Sequence, residues 1–181
     1  MQIVIGSDGA GVVVEVGDGV SKFKNGDQVY GDFHNFTRGR QNPWGTLAQY
    51  TVVEEDLVAP KPTNLSFEEA ASLPLAVLTA QQGFDIAKFE KGQSVLIVGG
   101  AGGVGSLAIE LAISHVYGAS CIVSTDSTGK LDFVKSLGAD LVIDYTKQSY
   151  DQISEKFDFV FDTIGNSPTS LALLRLASMR I

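Results

Sequence analysis

Glycines stand at positions 100, 102 and 105 of "VLIVGGAGGVGSLAIELA", a G-x-G-x-x-G spacing. Glycine at the first position permits a tight turn. At the second it lets a pyrophosphate approach the backbone, and at the third it lets a helix pack closely on a strand. The residues in front, "SVLIV", are wholly apolar, and an apolar helix pattern follows. A helix starting there offers unpaired N–H groups and a positive dipole end to phosphates. With 20 glycines among 181 residues the spacing alone says little, and the strand before and helix after give it weight. No Gly-Lys-Ser/Thr follows, which excludes a Walker-type loop.

About 20 residues beyond such a loop, a dinucleotide site carries the groups that select the adenosine ribose. Here that stretch is "STDSTGK", Ser124 to Lys130. Asp126 could accept from a ribose 2′-hydroxyl, which favours NADH. Thr125, Ser127 and Lys130 could instead surround a 2′-phosphate, which favours NADPH, and an inward Asp126 would repel that phosphate. Two structural roles compete: Asp126 as a helix N-cap and Lys130 on a solvated helix face.

These groups need a scaffold, and the pattern of the chain supplies one. Residues 9 to 62 read as β structure. "GVVVEVGDGV" and "DQVYGD" are strands bounded by turns, and "GTLAQYTVVEEDLVAP" alternates well enough for one or two more. At Ser66 the character changes. Ser66 with Glu69 forms a capping box, and Pro74 breaks that helix and opens the next, in which Gly83 is a weak spot. From Ser94 on, strands alternate with helices: "SVLIVGG", "SCIVST", "DLVIDY" and "FDFVFDTIG" are the strands. Gly118 and Gly138 close the helices between them. This pattern predicts an α/β fold with a parallel, doubly wound sheet. The tail "NSPTSLALLRLASMRI" reads as one helix with Ser167 as cap and Pro168 in its first turn.

Composition narrows the function classes. The net charge of −8 disfavours nucleic acid, whose phosphates require clustered Lys and Arg. Cys121 is the one cysteine, so no internal disulfide or cysteine-rich metal cage can form, and its apolar setting predicts a buried structural thiol. The apolar runs are too short for a bilayer, so no membrane partner is expected. No basic-then-apolar leader precedes the first strand. The expected compartment is the cytoplasm, or the plastid if a transit segment precedes these residues.

Taken in order, "GSDGAGVVVEVGDGV", "GDQVYGD", "GTLAQYTVVEEDLVAPKP", "AASLPLAVLTA", the phosphate loop, "KLDFVKSLGADLVIDYT" and "FDFVFDTIG" resemble the medium-chain dehydrogenases/reductases. The resemblance covers nearly the whole chain. It is strongest to the quinone oxidoreductase branch, and within it to plant NADPH-dependent alkenal/enone reductases. It implies a partial GroES-like substrate domain over residues 1–73 and a partial Rossmann domain over 74–181. Thr79 would approach the nicotinamide. The backbone of Gly102, Gly103, Val104 and Gly105 would hold the pyrophosphate. Thr125, Ser127, Lys130 and Tyr145 would surround the 2′-phosphate, against the competing role of Tyr145 as an aromatic cap at a strand end.

Zinc alcohol dehydrogenases of this superfamily carry Gly-His-Glu where this chain has Gly6-Ser7-Asp8. Ser7 is a poor ligand and Asp8 alone cannot build a site. His34 and His115 lack ligand-like spacing. The expectation is a zinc-independent enzyme that transfers a hydride to an enone, alkenal or quinone, with the developing oxyanion needing only hydrogen-bond donors. No catalytic acid or base stands out, although Asp8 would line the cleft. Asp126 stands where close relatives carry a small hydroxyl residue, which counts against a strict NADPH preference. Gln81 follows "LTA" where many relatives place an aromatic residue. The loop from Phe33 to Trp44 differs from the relatives, so substrate preference does not transfer. The resemblance also implies a segment before "GSDGAG" and two further strands after the fourth, with a homodimer in the full-length form. Two other readings remain open: a nucleotide-binding remnant without catalysis, and a non-catalytic structural or regulatory protein on the same scaffold.

Overall fold

A computed structural model describes residues 4–34, 45–149 and 152–165. The expected tail helix at Ser167 and most of the loop from Phe33 to Trp44 lie outside these residues. The chain divides into two compact units, Met1–Ala76 and Val77–Ile181.

The first unit holds a three-stranded antiparallel sheet, β1 (Asp8–Val12), β2 (Gln28–Asp32) and β3 (Val58–Pro60), in that order. β1 and β2 pair from Asp8 opposite Asp32 to Val12 opposite Gln28. The strand expected through "GVVVEVGDGV" therefore ends at Val12, with one further rung where the Val13 N–H donates to the Asp27 carbonyl. "GTLAQYTVVEEDLVAP" yields only β3, preceded by a 3-10 turn at Glu55–Leu57. Alternation supplies a face, but a strand also needs a partner ladder. Here Thr46 and Leu47 donate to Gly6 and Ile5, and residues 46–50 then bend. Helix α1 (Phe67–Ala71) starts on the expected capping box: the Glu69 N–H donates to Ser66 Oγ, and the Ser66 N–H donates to Glu69 Oε2. Helix α2 (Pro74–Ala87) begins on its proline, where the missing N–H costs nothing.

The second unit holds a four-stranded parallel sheet. Its strands are β4 (Ser94–Val98), β5 (Cys121–Asp126), β6 (Leu141–Asp144) and β7 (Phe159–Asp162), in the order β6-β5-β4-β7. Helices α3 (Gly103–Ile113) and α4 (Leu131–Ser136) follow β4 and β5. All of β4 is buried, because both its faces are covered. Val95 and Ile97 pack with Ala80 and Phe84 of α2, Ala108 and Ile109 of α3, and Val134 of α4. Leu96 and Val98 face the other way, against Ile153 and Phe157 of the β6-to-β7 connection. The connection changes face because the chain reverses its direction across the sheet, which is the doubly wound pattern.

Gly83, the apparent weak spot of α2, has a packing cause. A Cβ there would lie 2.7 Å from Phe161 Cζ, so its absence seats the ring on the helix. Helix α3 ends at Ile113, before the expected stop at Gly118. The next turn brings Tyr117 inward instead. Its ring stacks on Phe84 at 4.6 Å, and its hydroxyl donates to Asp85 Oδ1 at 2.8 Å. Burial, then that carboxylate, raise the Tyr117 pKa to about 12.

Candidate nucleotide-binding site

The strand order reverses between β4 and β7, and ligands of open α/β sheets bind at the carboxyl ends beside such a reversal. The glycine loop leaves β4 there. Gly99 adopts φ +82°, a conformation that favours glycine. The N–H groups of Gly99 and Gly100 both donate to the Thr125 carbonyl, at 3.1 and 3.2 Å, which folds the loop onto the end of β5.

The glycines of the motif separate by cause. A Cβ on Gly100 would fall 2.1 Å from Ser124 Oγ, and one on Gly105 would fall 2.1 Å from the Gly99 carbonyl oxygen. The fold requires these two. A Cβ on Gly102 would touch only the Gly99 carbonyl oxygen, at 3.3 Å, and one on Gly103 would meet nothing within 4 Å. The fold does not require these two. Their bareness leaves open space before the N-terminus of α3, whose N-cap is Gly102 and has no side chain to occupy the first-turn N–H groups. Backbone donors, a positive dipole end and a side-chain-free approach fit a pyrophosphate. Val104 lies in the same first turn.

The predicted ribose selectors divide in a similar way. Thr125 is 1% exposed and sits behind the loop, with its carbonyl on Gly99 and Gly100. Asp126 is the last residue of β5 and caps neither following helical segment: Ser127 and Lys130 hold those N-cap positions. Its carboxylate is turned into the protein, at 6% exposure. Oδ2 accepts from the Ala101 N–H and Oδ1 from the Ser127 N–H, each at 2.8 Å. The role of Asp126 as an N-cap is thus replaced by a bridge between the glycine loop and the loop after β5. Lys130 is the exposed last residue of a 3-10 turn, Thr128–Lys130, and the N-cap of α4. Tyr145, 52% exposed, follows β6 and donates its N–H to the Asp126 carbonyl at 3.2 Å. Ser127, Lys130 and Tyr145 therefore occupy adjacent loops at the carboxyl ends of β5 and β6. Thr79 is on a different element, at an exposed position of α2.

Two groups escaped the sequence reading. Asp144 accepts from Thr128 Oγ1 at 2.5 Å, from Thr146 Oγ1 at 2.6 Å and from the Thr146 N–H at 3.0 Å, with Lys147 Nζ at 3.3 Å. The Thr128 hydroxyl, then the Thr146 hydroxyl, hold its pKa down at about 2. Thr163, just past β7, donates its hydroxyl to the Val98 carbonyl at 2.7 Å, at the strand-order reversal. Only the strand order brings these residues together. The available signal was that β5, β6 and β7 each end in aspartate.

In the first unit, Asp8 Oδ1 accepts from the Leu75 N–H at 2.8 Å, although 67 residues separate them. Leu73, before Pro74, has no side-chain acceptor, so Asp8 satisfies a first-turn donor of α2. Burial pushes the Asp8 carboxyl above its ordinary value, the Leu75 bond pulls it back, and the charge of Asp32 raises it. Among the described residues, no group of three or more His, Cys, Asp or Glu side chains is placed to hold a metal ion.

The family described as "Alcohol dehydrogenase GroES-like domain" matches residues 1–63, and that described as "Zinc-binding dehydrogenase" matches residues 103–179. The chain belongs to the medium-chain dehydrogenase/reductase superfamily. Among the relatives of this chain is a 2-methylene-furan-3-one reductase of Solanum lycopersicum, 54% identical over 172 residues. Another is the chloroplastic NADPH-dependent alkenal/one oxidoreductase of Arabidopsis thaliana, 49% identical over 172 residues. Each alignment covers 95% of this chain and 44% of the relative. The solved quinone oxidoreductase of Coxiella burnetii matches at 35% identity with a TM-score of 0.82, over 96% of this chain and 53% of that one. The chain thus spans about half the length of the proteins it matches. It has the antiparallel and parallel sheets of a partial medium-chain fold. Among the described residues no helix is long and apolar enough to cross a membrane.

Proposed function

We propose that this chain is part of a zinc-independent, NADPH-dependent reductase of enones, alkenals or quinones. Residues 1–73 form part of its substrate domain and 74–181 part of its nucleotide domain. The observation that carries the reading is the side-chain-free space at Gly102 and Gly103, open at the α3 N-terminus where the strand order reverses. The plant relatives, whose names specify enone and alkenal chemistry, supply the reaction class.

The bound nicotinamide supplies the hydride. The chain's own groups bind and orient. First-turn amides of α3, at Gly103, Val104 and Gly105, hold the pyrophosphate. Ser127, Lys130 and Tyr145 face the 2′-phosphate, Thr125 shapes the loop from behind, and Thr79 approaches the nicotinamide. NADH remains a usable cofactor because Asp126 adds negative charge near the ribose. Zinc independence rests on the donor set: Ser7 is a poor ligand, and the Asp8 carboxylate already serves the α2 backbone. The full-length protein acts on a small soluble substrate, as a homodimer, in the cytoplasm or plastid.

The test is NADPH and NADH titration of the chain, alone and with Lys130→Ala, followed by an enone turnover assay with and without a chelator. NADPH is expected to bind more tightly than NADH. Loss of the exposed Lys130 charge should weaken NADPH by roughly fivefold, the upper end for an exposed ion pair. Equal affinity, or no change in the variant, refutes the NADPH assignment. Activity lost to chelator and restored by zinc refutes zinc independence. Binding without turnover would select the nucleotide-binding reading.

A further inference from the structure

The register of the parallel sheet sets Asp126 of β5 directly beside Asp144 of β6. The two carboxylates bridge successive loops. Asp126 joins the glycine loop, through the Ala101 N–H, to the loop after β5, through the Ser127 N–H. Asp144 joins the loop after β5, through the Thr128 hydroxyl, to the loop after β6, through the hydroxyl and N–H of Thr146. Thr128 lies between Ser127 and Lys130, and Thr146 follows Tyr145. The Thr128 and Thr146 hydroxyl oxygens are also 3.1 Å apart, so both converge on one carboxylate.

We propose that Asp144, acting through Thr128 and Thr146, is a positioning residue that fixes the spacing between Lys130 and Tyr145 and so sets discrimination for a 2′-phosphate on the adenosine ribose. The inference rests on the assignment of that loop pair to the adenosine end, made above. Ser127, Lys130 and Tyr145 are carried by solvent-facing stretches, and no side chain of residues 127–130 or 145–149 is buried to hold them in place. Charge-assisted bonds from two hydroxyls and an amide supply that order before any ligand arrives. Pre-organisation of this kind reduces the ordering cost of binding. The low Asp144 pKa, about 2, keeps the acceptor ionised throughout the working pH range. Lys147, beside Asp144 at 3.3 Å, offsets its charge toward an incoming phosphate.

The probes are 2′,5′-ADP and 5′-AMP, which differ by the 2′-phosphate and require no turnover. Calorimetric titration of the full chain is expected to show a preference for 2′,5′-ADP. Thr128→Val removes the hydroxyl with little change of shape or charge. It should weaken 2′,5′-ADP about tenfold, the worth of one charge-assisted hydrogen bond, and leave 5′-AMP within about twofold. Thr128→Ser, which keeps the hydroxyl, should restore the preference. In an Asp144→Ala background, Thr128→Val should have no further effect, since the two act as one unit. An undiminished effect in that background would make Thr128 a direct phosphate contact and overturn the proposal. So would an equal loss for both probes, which is general loosening, or no loss at all. If the unmodified chain bound neither probe, or both alike, the assignment of the adenosine end itself would fail and the proposal with it.

Discussion

Gly102→Ala and Gly105→Ala place the same methyl group in one loop and should fail for different reasons. At Gly105 the new Cβ would fall 2.1 Å from the Gly99 carbonyl oxygen and 2.9 Å from its carbon, and both are backbone atoms. Helix α3 must back away from β4, an overpacking cost of about 1–3 kcal/mol, offset by at most ~1 kcal/mol of helix propensity. At Gly102 the backbone has φ −74°, ordinary for any residue, and the single close contact is 3.3 Å. Exchanging glycine for alanine at an N-cap costs well under ~1 kcal/mol beyond that small adjustment. The methyl does, however, enter the space through which a pyrophosphate reaches the first-turn amides. Losing one charge-assisted hydrogen bond there is worth about 1.5–3 kcal/mol, or roughly ten- to a hundredfold in affinity. Urea unfolding and NADPH titration, run on both variants, separate the two effects. Gly102→Ala should bind poorly and unfold near the parent midpoint, whereas Gly105→Ala should unfold early. A Gly102→Ala chain that binds NADPH as tightly as the parent, or unfolds earlier than Gly105→Ala, would refute the division of the glycines into those the fold needs and those a ligand needs.

Asp8→Asn keeps an acceptor for the Leu75 N–H and removes the charge that faces Asp32. The folded-state pKa of Asp8 is raised, so protonated Asp8 contributes stability that is lost as pH rises through that pKa. The neutral amide should therefore stabilise the chain near pH 7 by about 0.2–1 kcal/mol, the scale of a cross-strand charge pair, and the gain should vanish below pH 4 in thermal melts. A constant gain across pH would point to packing instead of charge. Asp144 has the opposite sign. Its pKa is lowered from 3.8 to about 2, so its stabilisation is present above pH 3.8 and lost as pH falls toward 2. The stability deficit of Asp144→Ala should accordingly shrink over that window in urea titrations, and an unchanging deficit would count against the hydrogen-bonded carboxylate.

What the sequence made legible was local or periodic. The capping box needs only Ser66 and Glu69, three residues apart, and it formed as read. The apolar run of β4 declared its burial because both faces of a central strand need apolar residues. Pairing was less legible. Alternation in "GTLAQYTVVEEDLVAP" describes a surface without specifying which backbone lies alongside it, and only Val58–Pro60 found a ladder. Gly83 looked like a flaw because its cause, Phe161, is distant in sequence and arrives on another strand. Asp126 was read as a ribose acceptor, a repellent or a cap, since nothing in "STDSTGK" reveals that Ala101 lies within hydrogen-bond reach. Thr128 and Thr146 were ordinary loop residues until β5 and β6 became neighbours.

One apparent conflict runs through the site. A chain of net charge −8 places carboxylates at the carboxyl ends of β5, β6 and β7, the edge where an anionic cofactor should bind. The hydrogen bonds resolve it. Asp126 accepts from Ala101 and Ser127, Asp144 from Thr128 and Thr146, and Asp162 from the N–H groups of Ile164 and Gly165 at 2.9 Å each. Each carboxylate is turned onto the backbone of the loop it begins, where it orders a turn and is partly neutralised by the donors it gathers. The amides at the α3 N-terminus are left for the ligand, with Lys130 as an exposed supplement. Affinity should therefore depend more on access to those amides than on any single side-chain charge. This ranks the variants before measurement: an obstructed Gly102 should cost more NADPH affinity than an absent Lys130, because several backbone donors at a helix N-terminus outweigh one exposed cation that water already screens.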